Sequence, residues 1–200
     1  MKESHSKEPH AVGATRAVLV PLASGFEEIE AVTIIDVLRR AGLVVRVAGL
    51  ESRRVTGSHG ITLEADCLLA EVVASELAML VLPGGMPGTT NLAADGRILA
   101  LVRELEASGR RVAAICAAPL VLERAGVLAG REVTAYPGVR DKLTSARVLA
   151  EPAVVISGPL VTSQGVGTAL QFALALVAEL AGPSRARELA TAMLVPTTAR

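Results

Sequence analysis

The sequence predicts an α/β fold, a mostly parallel sheet covered by helices on both faces, and three observations predict it. Short apolar runs alternate along the chain with helix-length amphipathic segments, the pattern of strands joined by helical crossovers. The strand candidates are continuously apolar rather than alternating, as expected of strands buried on both faces. Hydrophobic residues make up 51% of the chain but aromatic ones only 2%, with no Trp, so the core is built from Ala, Val, Leu and Ile.

The elements follow in order. Residues 17–23 (A-V-L-V-P-L-A) form a buried strand. Residues 27–40 form a helix with Ile29, Val32, Ile35, Val37 and Leu38 at helical spacing, and Gly42 lies just past its last turn. Residues 44–49 give a second strand. The stretch 51–66 is richer in Gly, Ser and Arg, with short β-like pieces around Val55 and at 61–63, and residues 67–75 read as a short helix. Residues 79–82 give a third buried strand ending in P-G-G-M-P-G. An amphipathic helix over 96–108 is stopped by Gly109, and residues 111–115 form a fourth strand ending at Cys116. Pro119 suits the first turn of the next helix, 117–125. A short strand covers 132–135. Gly158-Pro159 splits 154–157 from 160–163 as a hairpin. Helices over 167–180 and 183–191 complete the pattern.

Composition excludes several classes of function. The 200 residues suffice for one domain with a sizeable core. We read residues 1–13 as a disordered tail, 14–195 as the single domain and 196–200 as a C-terminal tail. Lys+Arg and Asp+Glu balance at 20 each, leaving no electrostatic footprint for nucleic acid. No run approaches the ~20 apolar residues of a membrane span. The head of the chain lacks the apolar stretch of a signal peptide. Cys67 and Cys116 have no paired spacing, which points to a reducing, cytoplasmic setting. His5 and His10 lie in the head and only His59 in the body, so no metal cluster is legible and neither metal nor cofactor is expected.

Cys116 is the leading candidate for chemistry. A strand that stops at a thiol with a helix behind it presents a nucleophile, and the helix N-terminus favours the thiolate. By position alone the residue equally suits a small buried hydrophobe. Glu27 and Glu30 share a helix face, while Glu28 points elsewhere. Acidic residues at a helix start also simply favour the dipole. Glu30, deeper in the helix between Ile29 and Ala31, fits that reading less well. In apolar surroundings its carboxyl would stay protonated and move protons to and from a thiolate. Gly84 and Gly85 read either as a plain loop or as an oxyanion hole of unshielded N–H groups.

Taken in order, S-G-F-E-E-I-E-A-V, L-P-G-G-M-P-G-T-T-N-L, A-A-I-C-A-A-P, V-T-A-Y-P-G-V-R-D-K-L and V-T-S-Q-G-V-G-T-A-L-Q-F-A-L resemble the ThiJ/PfpI superfamily. Within it the chain looks like the branch of Parkinson disease protein 7, in its bacterial type. The resemblance covers roughly residues 16–191. It implies a flavodoxin-like three-layer sandwich and a homodimer, without a cofactor. It also implies a nucleophile at Cys116, a carboxyl partner at Glu30, a second pocket carboxyl at Glu27, and oxyanion donors at Gly85 and Ala117. The activities it implies are glutathione-independent conversion of methylglyoxal or glyoxal to lactate or glycolate, and repair of early glycation adducts. An oxidative-stress sensor or redox chaperone using Cys116 is the alternative.

One departure narrows the mechanism. Many members of the family carry a histidine where this chain has Tyr136, and no histidine follows His59. Tyr136 is a poor base near neutrality and is kept as a pocket residue, so Glu30 must carry most of the proton transfer. Ala117 stands where family peptidases have a His beside the cysteine, which weighs against a cysteine peptidase. Cys67 is read as a packing residue and His59 as a structural or interface one.

Overall fold

The computed structural model describes residues 16–196. The tail expected over 1–13, and residues 197–200 of the C-terminal one, lie outside the described residues. The strands are β1 (Ala17–Leu22), β2 (Val45–Gly49), β3 (Arg54–Thr56), β4 (Thr62–Glu64), β5 (Cys67–Leu68), β6 (Leu77–Leu82), β7 (Arg111–Ile115), β8 (Glu132–Val133), β9 (Arg147–Val148), β10 (Val154–Ser157) and β11 (Leu160–Ser163). The helices are α1 (Glu28–Arg40), α2 (Gly88–Ala94), α3 (Gly96–Ala107), α4 (Pro119–Ala125), α5 (Ala169–Ala181) and α6 (Pro183–Ala192).

Seven strands form one sheet in the order β10-β11-β7-β6-β1-β2-β5. All neighbours are parallel except the β10–β11 hairpin. The pleat sends alternate side chains to opposite faces. Val18, Val20 and Leu22 of β1 pack with Ile34 and Leu38 of α1, Phe172 and Leu176 of α5, and Leu189 of α6. Ala17 and Leu19 pack with Leu92 of α2, Ile98 and Val102 of α3, and Val121 and Leu122 of α4. The predicted flavodoxin-like three-layer α/β sandwich is therefore the observed fold. Its strands read as unbroken apolar runs because both faces are covered. Among the described residues no helix is long and apolar enough to cross a membrane.

Two local expectations are corrected. Residues 67–75 are not a helix. Cys67 and Leu68 extend the sheet as β5, and single 3₁₀ turns follow at Leu69–Glu71 and Ala74–Glu76. Leu68 N–H donates to Glu71 Oε2 at 2.5 Å, fixing the first turn. The unpredicted α2 contains two threonines and begins at Gly88, and buries only Gly88, Thr89 and Leu92, so it carries no amphipathic stripe.

The sheet order reverses between β1 and β6, where a doubly wound sheet opens a crevice outside its carboxyl ends. The segments that leave β1, β6 and β7 there carry Glu27, Gly84-Gly85 and Cys116.

Candidate active site

Cys116 is the first residue beyond β7. Its N–H donates to Ser163 O at 3.0 Å, which continues the β7–β11 ladder by one residue. Its φ is then +63°, a conformation uncommon for any residue with a Cβ. The strand ends in a sharp elbow that leaves the thiol partly exposed. Ala118 N–H closes the turn on Ile115 O at 3.0 Å, whereas the Ala117 N–H is turned towards the sulfur.

Glu30 lies in the first turn of α1 with no exposure to solvent. Its Oε2 accepts the Gly84 N–H at 2.8 Å, while Oε1 is buried without a partner at full hydrogen-bond geometry. The neighbouring polar group is the Cys116 thiol, and the contact moves both titrations. Burial pushes Glu30 up to about 7, with the charge of Glu27 adding to the rise, against the pull of the Gly84 N–H and the thiol. Burial, then the charge and hydrogen bond of Glu30, push Cys116 up to about 12, against the N–H groups of Ala117 and Gly85. The expectation of a thiol lowered by the helix N-terminus is thus corrected. Helix α4 has only seven residues, and burial, with the charge of Glu30 while it is ionised, outweighs dipole and N–H groups together.

The two groups titrate as a pair. The first proton leaves at about 7; the one that remains has two places to sit, the sulfur, which burial and the ionised Glu30 favour, and the carboxyl. When it sits on Glu30, the like-charge repulsion on the thiolate is gone and both N–H groups face an anion.

The glycines divide their work. Gly84 gives its N–H to Glu30 rather than to the pocket. A Cβ there would stand 2.7 Å from Cys116 Cβ and 2.8 Å from Glu30 Oε2, so only glycine lets carboxyl and thiol approach. Gly85 has φ +90° and turns its N–H to the sulfur. The Gly84 N–H is therefore already engaged, whereas those of Gly85 and Ala117 face the sulfur.

Tyr136 is tied to the elbow through its backbone N–H, which donates to Cys116 O at 2.9 Å. Its ring is exposed. A Cβ on Gly165 would stand 3.7 Å from Tyr136 Cδ2 and 3.8 Å from Cys116 Sγ, so ring, glycine and sulfur border one small space. Glu27 precedes α1 and its N–H donates to Gly84 O at 2.9 Å; its carboxyl is mostly buried, faces Ser58 and His59, and its charge is felt by Glu30.

The structure also gathers residues that the sequence left aside. Glu28 is buried beneath the turn joining β3 and β4 and is bound to His59, whose Nδ1 lies 3.0 Å from Glu28 Oε2 and 3.7 Å from Glu27 Oε2. Glu27, Glu28 and His59 bring potential ligand atoms within 4.8 Å of one another. Those atoms already serve hydrogen bonds in the turn, and nothing in the grouping calls for a metal. No periodicity marks Glu28, because a three-strand-residue hairpin folds over it from 30 residues away. Cys67 donates weakly to Val47 O at 3.8 Å, and burial raises its thiol above the ordinary range.

An α/β sandwich with a cysteine on a strained elbow, a protonatable carboxyl beside it and two backbone donors on its sulfur defines a class of cysteine-centred α/β proteins. Within that class the chain belongs to the DJ-1/PfpI family, which it matches over residues 16–179. It is 40% identical to protein dj-1beta of Drosophila melanogaster over 183 residues, 90% of this chain and 98% of that one. The crystal structure of that protein superposes with a TM-score of 0.88, covering 92% of this chain and all of the other. It is 38% identical over 164 residues to the glutathione-independent glyoxalase DJR-1.2 of Caenorhabditis elegans, covering 82% of this chain and 87% of that one. The structure of oxidized Toxoplasma gondii DJ-1 superposes with a TM-score of 0.85 at 37% identity, covering 91% of this chain and all of that one.

Proposed function

We propose that the protein is a cysteine-dependent, glutathione-independent enzyme that converts small dicarbonyls such as methylglyoxal and glyoxal to lactate and glycolate, or repairs early glycation adducts by hydrolysis. One observation carries the reading: Cys116, on an elbow with φ +63°, lies beside the fully buried carboxyl of Glu30, with only Gly84 between them. The name of the C. elegans relative supports it.

The thiolate attacks the aldehyde carbon, forming a C–S bond and an oxyanion. Gly85 and Ala117 N–H groups hold that oxygen, and protonated Glu30 delivers its proton to give the hemithioacetal. The carboxylate then removes the hydrogen from the former aldehyde carbon and returns it to the neighbouring carbon through an enediol. This leaves a lactoyl thioester on Cys116. Water cleaves the C–S bond, lactate departs and the sulfur regains its proton. Carbonyl and water balance lactate with no external oxidant. Tyr136 borders the substrate and the charge of Glu27 acts on Glu30. The test is lactate formation from methylglyoxal without glutathione: Cys116→Ser is expected to lose at least about 1000-fold, and undiminished turnover would overturn the mechanism.

A second reading uses the same thiolate as an oxidation sensor, with holdase function downstream. The protonatable Glu30 favours it, since its O–H can hydrogen-bond a sulfinate and stop oxidation there. We further propose a homodimer. Ile29 and Val32 of α1 and Ile61 beside β4 are exposed, and α1 and β4 border a cleft of about 270 Å³ lined by Val32, Ile35 and Leu63. Sedimentation velocity tests it, and a monomer at micromolar concentration would refute it.

A further inference from the structure

Glu28 is a buried charge that the chemistry above leaves unused. Its Oε1 accepts the N–H groups of His59 at 2.7 Å and Ile61 at 3.3 Å. Its Oε2 accepts the Ser58 hydroxyl at 3.3 Å and lies 3.0 Å from His59 Nδ1. A Cβ on Gly57 would collide with the same carboxyl. The tip of the β3–β4 hairpin is thus fastened to the first turn of α1 by one side chain.

From this fastening a short backbone relay leads to the sulfur. Ser58 N–H donates to Phe26 O at 2.8 Å and Gly25 N–H to Thr56 O at 2.9 Å, so the hairpin grips the 24–27 turn. That turn grips the glycine segment: Glu27 N–H donates to Gly84 O at 2.9 Å and Gly88 N–H to Gly25 O at 3.1 Å. Gly85, between those two anchors, turns its N–H to Cys116.

We propose that Glu28 and His59 are positioning residues: by clamping the hairpin tip onto the 24–27 turn they hold the Gly85 N–H against Cys116. The proposal rests on reading Cys116 as the nucleophile. Glu27 and Glu28, both from the start of α1, are the titratable groups that face His59. Both favour the imidazolium, with the Glu28 hydrogen bond foremost, and raise the ring above its ordinary 6.5. The clamp is therefore tightest below the ordinary histidine value and slackens as pH rises through the raised one.

The experiment measures alkylation of Cys116 by iodoacetamide across pH in the full chain. This reads the sulfur's surroundings whether or not the protein turns over dicarbonyls, so a failed lactate assay leaves it intact. Losing one N–H from the thiolate is worth about 1 kcal/mol, or roughly fivefold, so His59→Ala is expected to slow alkylation by about that factor at pH 7. His59→Arg, a permanently charged donor, should restore the rate and remove the imidazole's contribution to the pH profile. Alkylation of His59→Ala at the wild-type rate would overturn the clamp. So would a deficit erased by about 0.5 M salt, which screens an exposed charge's field but leaves a positional effect. Glu28→Gln should match His59→Ala. If that variant does not fold, the His59 pair decides alone, because its ring is 69% exposed and not part of the core.

Discussion

Glu28 and Glu30 stand two residues apart on the same turn of α1, both almost without solvent exposure, yet one titrates at about 2 and the other at about 7. Burial pushes both upward. For Glu28 that push is overcome by the His59 side chain and by backbone N–H groups, including those of His59 and Ile61. For Glu30 it is opposed only by the Gly84 N–H and the Cys116 thiol, and burial wins. The residues also differ in what covers them. Glu28 lies beneath a thin surface hairpin that supplies donors, whereas Glu30 lies at the sheet end beside Gly84 and Cys116 and accepts one backbone N–H. Identity and burial therefore do not decide a carboxyl's role; the number of donors aimed at it does.

The sharpest way to break this comparison is to neutralise each carboxyl in turn. Glu30→Gln removes the group that gives and takes protons and is expected to lower lactate formation by ~10²–10⁴-fold. Glu28→Gln acts only through position and should cost less than about tenfold. Equal losses would mean that Glu30 has no proton-transfer role of its own.

Stability should separate the two with opposite signs. The folded-state pKa of Glu30 is raised from 4.5 to about 7, so its contribution is full below the unfolded value and fades as pH climbs through the folded one. The loss between pH 4.5 and 8 is about 3 kcal/mol, and Glu30→Gln should flatten it in urea unfolding. Glu28 is depressed from 4.5 to about 2, so its contribution is present above the unfolded value and lost as pH falls through the folded one. Its covering is thin, and hydrogen bonds to a charged group suggest about 2 kcal/mol. Glu28→Gln should weaken the protein at pH 6 and lose its disadvantage towards pH 2. A wild type whose stability rises steadily from pH 5 to 8 would refute the buried-acid assignment.

The same pair shows how much of the site was legible in the sequence. Glu30 was legible through Ala31 and the apolar residues of the helix behind it, although its other neighbour, Ile29, is exposed. Cys116 was legible because an apolar run stops at it. The three-layer fold followed from unbroken apolar strands such as 79–82, whose period needs no knowledge of partners. Glu28 was illegible. Its partners, Ser58, His59 and Ile61, arrive from a hairpin whose strands have three residues each, too short for any period to register. The direction of the Cys116 shift is hidden from sequence for a related reason. The helix N-terminus is local and visible in sequence, whereas the burial of the sulfur and, after it, the charge of Glu30 that together outweigh the N–H groups come from tertiary packing. Local rules describe elements, and the charge balance of a pocket belongs to whatever the topology brings together.

The finest test concerns the proton that Cys116 and Glu30 share. A lone buried thiol at about 12 would be inert at neutral pH, and alkylation would rise by one power of ten per pH unit throughout the neutral range. A coupled pair behaves otherwise. Once the first proton leaves at about 7, a fixed fraction of the remaining state carries its proton on Glu30 and its charge on sulfur. The alkylation rate of the wild type should therefore rise towards pH 7, level off, and rise again only near the second loss at about 12. Glu30→Gln should abolish the plateau and leave a single rise, displaced below 12 because the repelling carboxylate is gone. A wild-type profile with one rise and no plateau would show that the proton stays on sulfur, and that the buried carboxyl at the end of this sheet does not generate the nucleophile.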